Sequence, residues 1–149
     1  MRGEIVMDRT SEINIEKMEI LLRTICFNIK KKGREILQDF NITPPQFDAL
    51  QVLEDEGELT IGDLSSKLFL APSTITYLVD RMEKNCLVTR IRDNKDRRSI
   101  KIKVEDKGFK LIGEVIARRC TYLEEVTKEM KADDKIKLTA YLEMMSSKL

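Results

Sequence analysis

A chain of 149 residues with 36% charged and only 5% aromatic side chains is about one domain long and must build an aliphatic core under a helical, ion-pair-rich surface. It has a formal net charge of +1 and no His, which excludes Ser-His-Asp and Cys-His catalysis and His-ligated zinc. Cys26, Cys86 and Cys120 are odd in number and widely spaced, which excludes a disulfide framework or a Cys-based zinc knuckle within one chain; no phosphate-binding glycine loop is present either, so no enzyme, cofactor or metal is expected.

Residues 1–8 lack a signal-peptide apolar region and are expected to be frayed. No apolar run approaches the roughly 20 residues of a membrane span, so the expected location is cytoplasmic, with no membrane partner. From Ile13 to Phe40 the pattern is helical, with Ile15, Met18, Leu22, Ile25, Ile29, Ile36 and Phe40 recurring at steps of three and four or their multiples. Lys30, Lys31 and Lys32 in this stretch read as a solvated face. Asn41 suits the left-handed residue that ends a helix. Thr43-Pro44-Pro45-Gln46 then reads as a cap, a first helical position and the third residue of a capping box. Phe47, Leu50 and Leu53 form the buried side of that helix, and Gly57 stops it.

Thr60 and Asp63 repeat the capping logic before a short amphipathic helix to Leu68. After a tight break at Phe69-Leu70 a second helix covers Ala71–Asn85, with Pro72 at its first position. Its cap position falls on Ala71, which has no side-chain acceptor, a deficit of about 1 kcal/mol against Ser or Asp. Ile75, Leu78, Val79 and Met82 are expected inside. Ser73, Thr74, Thr76, Tyr77, Asp80, Arg81 and Lys84 are left outside. Short hydroxyls near the start and long cations further along suit a major-groove reader, because short groups approach base edges and cations reach phosphates.

Two strands are expected at Leu87–Arg92 and Ser99–Val104, joined by Asp93-Asn94-Lys95-Asp96-Arg97-Arg98. Ile100, Ile102 and Val104 alternate with Lys101 and Lys103, and Arg90 and Arg92 flank Ile91, placing aliphatics inside and cations outside. Helix returns over residues 105–130 through Leu111, Ile112, Val115, Ile116, Leu123, Val126 and Met130. A last helix starts near Asp133 and Asp134 and is apolar along Leu138, Tyr141, Leu142, Met145 and Leu149. The flanking helices exceed what the small core needs; they suit a helical dimer interface or the cover of one larger core.

Helix, turn, helix and basic hairpin make a mainly α fold with a small β wing, a winged helix-turn-helix. We assign residues 1–149 to one domain, with a DNA-binding lobe at 43–104 and helical dimerisation regions at 10–40 and 106–149. Charge supports this division. Residues 61–104 hold 10 Lys/Arg against 5 Asp/Glu, whereas residues 1–60 hold 8 against 12 and residues 105–149 hold 9 against 9. The positive excess therefore lies in the module and suits a polyanion, with a merely solvated basic surface as the alternative. A winged helix used for contact with an acidic protein is the rival function.

The run Ser73-Thr74-Ile75-Thr76, then Leu78-Val79-Asp80-Arg81-Met82-Glu83-Lys84 and Leu87-Val88, resembles the MarR family of transcription regulators. So does the continuation Asp96-Arg97-Arg98, Ile102-Lys103-Val104 and Gly108, which is close to that family's D-x-R-x-x-x-[VI]-x-L-T-x-x-G wing signature. The resemblance implies a homodimeric repressor on double-stranded DNA. The helix from Pro72 would enter the major groove and Arg98 the minor groove, with Asp96 orienting the wing and Arg97 on phosphate. Arg90, Arg92 and Lys101 complete the expected DNA-binding set. Half-sites would lie roughly 34–36 Å apart, and a small aromatic or anionic effector would release the DNA. Tyr77 departs from the family's usual Arg, Val104-Glu105 from its Leu-Thr, and Cys86 from its Gly; Asn85 is expected to supply the left-handed turn instead. Cys26-Phe27 is similar to the Cys-Phe of the family's hydroperoxide-sensing branch, which makes a thiol-based peroxide sensor the alternative to a packing role for Cys26.

Overall fold

The computed structural model of the chain describes residues 9–149, with side chains from residue 14 onward; the expected fraying of residues 1–8 lies outside the described residues. Among the described residues, six helices and three strands follow in the order α1 (Arg9–Asp39), α2 (Pro44–Glu56), β1 (Leu59–Thr60), α3 (Ile61–Leu68), α4 (Pro72–Lys84), β2 (Val88–Arg92), β3 (Ile100–Val104), α5 (Asp106–Val126) and α6 (Ala132–Ser146). The chain divides into two compact units, Met1–Pro44 and Pro45–Leu149. No described helix is long and apolar enough to cross a membrane.

In the first unit, α1 begins four residues before the expected Ile13. Ile15, Met18, Ile25 and Ile29 of the expected stripe are exposed, and among the described side chains of α1 only Ile36 and Leu37 are buried. The helix ends as its sequence dictates. Asn41 takes φ 53°, and the amide of Ile42 returns to the Leu37 carbonyl at 3.3 Å, satisfying carbonyls that the last turn leaves open.

The second unit is organised on α2, α3, α4 and a three-stranded antiparallel sheet of order β1-β3-β2. Phe47, Leu50 and Leu53 of α2, Leu64 of α3 and Ile75, Val79 and Met82 of α4 are almost completely buried, as is Ile102 of β3. Gly57 stops α2 with φ +84°. Sequence periodicity supports two strands, and the third is a finding. Leu59 pairs with Ile102 and Thr60 with Lys101, a two-residue strand too short to show alternation.

Helix α5 starts against this lobe and then leaves it. Gly108, Ile112 and Val115 are buried, and the Arg119 guanidinium lies 4.8 Å from the centre of the Phe47 ring. Beyond Val115 the apolar side chains Ile116, Leu123 and Val126 are exposed. Helix α6 has no buried residue at all, although Ile136, Leu138, Tyr141, Leu142 and Met145 lie on it.

Candidate nucleic-acid interface

Helix α4 is positioned by the element before it. The Thr60 hydroxyl accepts the Asp63 amide at 3.1 Å, while the Asp63 carboxylate accepts the Thr60 amide at 3.0 Å and its hydroxyl at 2.7 Å. This reciprocal box fixes the start of α3 and, with the Thr60 hydroxyl as the largest contributor, holds the Asp63 carboxyl below its ordinary value of 3.8. Phe69 closes α3 in the left-handed conformation, φ 53°, and the Ser65 hydroxyl donates to the Leu70 carbonyl at 2.6 Å. The turn delivers Pro72 to the first position of α4, with Ala71 as an N-cap that makes no side-chain bond.

The four expected inward residues, Ile75, Leu78, Val79 and Met82, are all buried. Ser73, Thr74, Thr76, Tyr77, Arg81 and Lys84 are exposed. Thr76 donates its hydroxyl to the Pro72 carbonyl at 3.0 Å, so it meets a ligand as an acceptor. Tyr77 and Arg81 form a unit one turn apart: Arg81 Nη1 donates to the Tyr77 hydroxyl at 3.1 Å, and the guanidinium lies 5.6 Å from the ring centre. The tyrosine keeps its own O–H to donate, so the pair presents donors outward.

The wing tip is built by two aspartates. Asp93 accepts the Lys95 amide at 3.2 Å and pairs with Lys101 Nζ at 3.3 Å. The Lys95 amide, ahead of the Lys101 ammonium, holds the Asp93 carboxyl below the usual carboxylate range. Asp96 accepts the Arg98 amide at 3.0 Å, and its carbonyl accepts the Ser99 amide at 2.9 Å. The aspartate bonds to the Lys95 and Arg98 amides, with the Asp96–Ser99 backbone bond, make a turn that needs no glycine. Arg97 and Arg98 project from it exposed, and Arg92 is exposed at the adjoining strand end. Lys101, by contrast, is half-buried against Asp93.

Three expectations require correction. First, β2 has the opposite phase. Val88, Arg90 and Arg92 pair across the strands with Val104, Ile102 and Ile100, so the arginines share the face of the buried aliphatics and Ile91 does not. Arg90 turns back to α4, where its Nη2 reaches Asp80 at 2.5 Å and its Nη1 bonds Glu83, whose other oxygen accepts the Arg90 amide at 3.1 Å. Partial burial works against the Arg90 charge, but these bonds to Asp80 and Glu83 outweigh it and raise its pKa further. Second, Ile100 is 49% exposed because it lies beyond the reach of β1 and opposite Arg92. Third, the left-handed residue after α4 is Cys86, φ 58°, whereas Asn85 has φ −89°.

Glu83 and Asp93 engage Arg90 and Lys101, and Gly108 packs against Leu87. The signal for the first was available as two acids three residues apart on α4 followed by an arginine on the next strand. Cys26 is free and exposed on α1.

Similarities to known proteins agree with this geometry. A family model described as the MarR family matches residues 42–100. An HTH-type transcriptional regulator of Bacillus subtilis, YsmB, is 49% identical over 113 residues, 76% of this chain and 77% of its own. The HTH-type transcriptional repressor MdtR of the same organism is 28% identical over 116 residues, 75% of each chain. The solved structure of a MarR family protein from Bacillus stearothermophilus superposes with a TM-score of 0.83 at 43% identity, covering 92% of this chain and 96% of that one.

Proposed function

Because this chain belongs to the MarR family of DNA-binding transcription regulators, we propose that it acts as a homodimeric repressor on a pseudo-palindromic operator. The observation that carries this reading is the junction of two kinds of donor on one lobe. The outer face of α4 offers Ser73, Thr74 and the Tyr77–Arg81 pair, and the wing tip offers unpaired Arg97 and Arg98. Groups of the first kind suit base edges in the major groove, and extended arginines suit phosphates or a narrow minor groove. Lys84 and Arg92 extend the cationic surface towards the backbone. Ala71 leaves the first-turn amides of α4 uncapped by a side chain, and such amides bind phosphate oxygens well. Arg90 and Lys101 are already paired with carboxylates and fall outside the set of direct contacts.

The homodimer is supported by apolar surface that one copy does not cover. Exposed aliphatics run along α1, the far half of α5 and all of α6, more than a monomeric surface ordinarily shows. Repression is supported by the similarity to MdtR, named as a repressor. An effector, a small aromatic or anionic molecule, would act by binding the lobe arrangement that does not fit the operator.

The test is selection of a duplex from a random library, followed by titration of the selected site and a scrambled duplex over a range of salt. The expected result is a symmetric site bound by two chains, a steep loss of affinity with salt and a preference of at least about 10³ over the scrambled duplex. A salt-sensitive affinity with no sequence preference would leave only a basic surface. Addition of benzoate to the complex is the first effector test, with release as the expected outcome.

A further inference from the structure

The acids of α4 stand where a DNA-reading face should carry none. At about 100° per residue, Asp80 falls between Thr76 and Ser73 in azimuth, on the side away from buried Ile75, Val79 and Met82. Its side chain is 60% exposed, and that of Glu83, one turn along the edge of the same face, is 38% exposed. Two bare carboxylates here would repel phosphates and would compete with them for Arg81 and Lys84. Asp80 and Glu83 are the only acids on α4, and both are engaged by a single guanidinium from the next element, Arg90 of β2.

We propose that Arg90 is a countercharge for the recognition helix: it masks Asp80 and Glu83 so that Arg81 and Lys84 meet DNA as unopposed cations, and it makes no DNA contact itself. The inference rests on the DNA-binding reading above. Its geometry is specific. Nη1 and Nη2 each go to a different carboxylate, and Glu83 also binds the Arg90 amide with its second oxygen. A planar fork can hold two acceptors in this way, whereas a lysine ammonium presents a point charge on a flexible stem. The guanidinium is spent on these partners, and only 27% of the side chain is accessible. Asp80, Glu83 and Arg90 together carry one negative charge; without Arg90 the same face carries two.

A direct phosphate contact and a countercharge predict opposite couplings. The probe is the duplex site that the wild-type protein selects from a random library, with Kd measured at fixed salt for the wild type, Arg90→Ala, Asp80→Asn/Glu83→Gln and the triple variant. Arg90→Ala is expected to raise Kd about tenfold or more. Neutralising the two acids is expected to recover most of that loss in the Arg90→Ala background and to change Kd by less than about threefold in the wild type. If neutralisation helps the wild type as much as it helps Arg90→Ala, or more, Arg90 is a contact residue and the inference fails. Arg90→Gln, which keeps amide donors without charge, is run alongside in case Arg90→Ala melts below the assay temperature. It should weaken binding and be rescued in the same way, and wild-type affinity for it would also overturn the inference. Absence of salt-dependent binding by the wild type itself would instead remove the DNA-binding reading.

Discussion

Gly108, in the first turn of α5, stands so close to Leu87 that a Cβ at Gly108 would lie 2.3 Å from the Leu87 carbonyl oxygen and 2.7 Å from a methyl of Val104. That carbonyl also accepts the Glu105 amide at 2.9 Å, so the backbone entering β2 and the start of α5 are locked together. The obstacle is backbone and cannot swing away. Gly108→Ala should therefore destabilise the fold by about 3 kcal/mol, at the upper end of overpacking costs. Gly113, on the same helix, has nothing within 4 Å of its Cβ position, and Gly113→Ala should stabilise by about 0.5–1 kcal/mol. Urea denaturation of the pair at one protein concentration measures both, and equal effects would refute the assigned close approach.

The Thr60–Asp63 box gives a prediction with a pH dependence. Thr60→Ala should cost about 1 kcal/mol at neutral pH. The Asp63 carboxyl is held below its ordinary value of 3.8, first by the Thr60 hydroxyl and then by the Thr60 amide. Because the folded value is depressed, the stabilisation is fully present above 3.8 and is lost as pH falls through the lower folded value. Asp63→Asn should therefore be less stable than the wild type at pH 7, with the difference shrinking as pH drops below about 3.8. Denaturation at a series of pH values checks the sign; a difference that widens at low pH would contradict the box.

Cys86 occupies a left-handed conformation, φ 58°, with its side chain exposed. A non-glycine residue pays roughly 1–2 kcal/mol there, and no buried contact is lost by removing this side chain. Cys86→Gly should raise stability by about 0.5–1 kcal/mol after the entropy of the more flexible unfolded chain is counted. Asn85→Gly, at φ −89°, should lower stability or leave it unchanged. Thermal melts of the two variants separate these positions.

What the sequence disclosed and what it hid divide along the range of the interactions. Helix starts were legible because their determinants lie within four residues: Pro44, Thr60 with Asp63, and Pro72 each open a helix where expected. The buried row of α4 was legible from its period. The phase of β2 was not, because a strand with arginines at alternate positions reads as cationic outside unless the acids that receive one of them are visible, and Asp80 and Glu83 lie on another element. Strand β1 was hidden for a similar reason: its two residues earn their assignment only from pairing with Ile102 and Lys101. In the site, the exposure of Arg97 and Arg98 needed only a turn, whereas the ion pairs of Arg90 and Lys101 depend on carboxylates seven to ten residues away in sequence.

The wing prediction follows from that turn. Arg98 is exposed, and its amide is held by Asp96 at 3.0 Å. Arg98→Ala should weaken binding to the selected duplex by about 1–3 kcal/mol, without altering the melting temperature. Asp96→Ala removes the bond that shapes the tip and should lower affinity as well, through a less ordered wing. Unchanged affinity for Arg98→Ala at physiological salt would remove the wing from the interface.

The last prediction concerns the helices outside the lobe. A 15-residue helix with no buried residue, as α6 has, is marginal by itself in water; exposed Ile136, Leu138, Tyr141, Leu142 and Met145 give it a reason to fold only against another surface. In the proposed homodimer a second copy would supply that surface by symmetry. Leu142→Glu places a charge in the middle of the apolar run and should shift sedimentation from two chains towards one, with a fall in helix content as α6 loses its partner. The protein's apparent stability should also rise with concentration in the wild type and lose that dependence in the variant. Wild-type sedimentation as a single chain would contradict the dimer and with it the symmetric operator. A dimeric Leu142→Glu would instead place the interface on α1 and α5 and leave the exposed face of α6 for another partner.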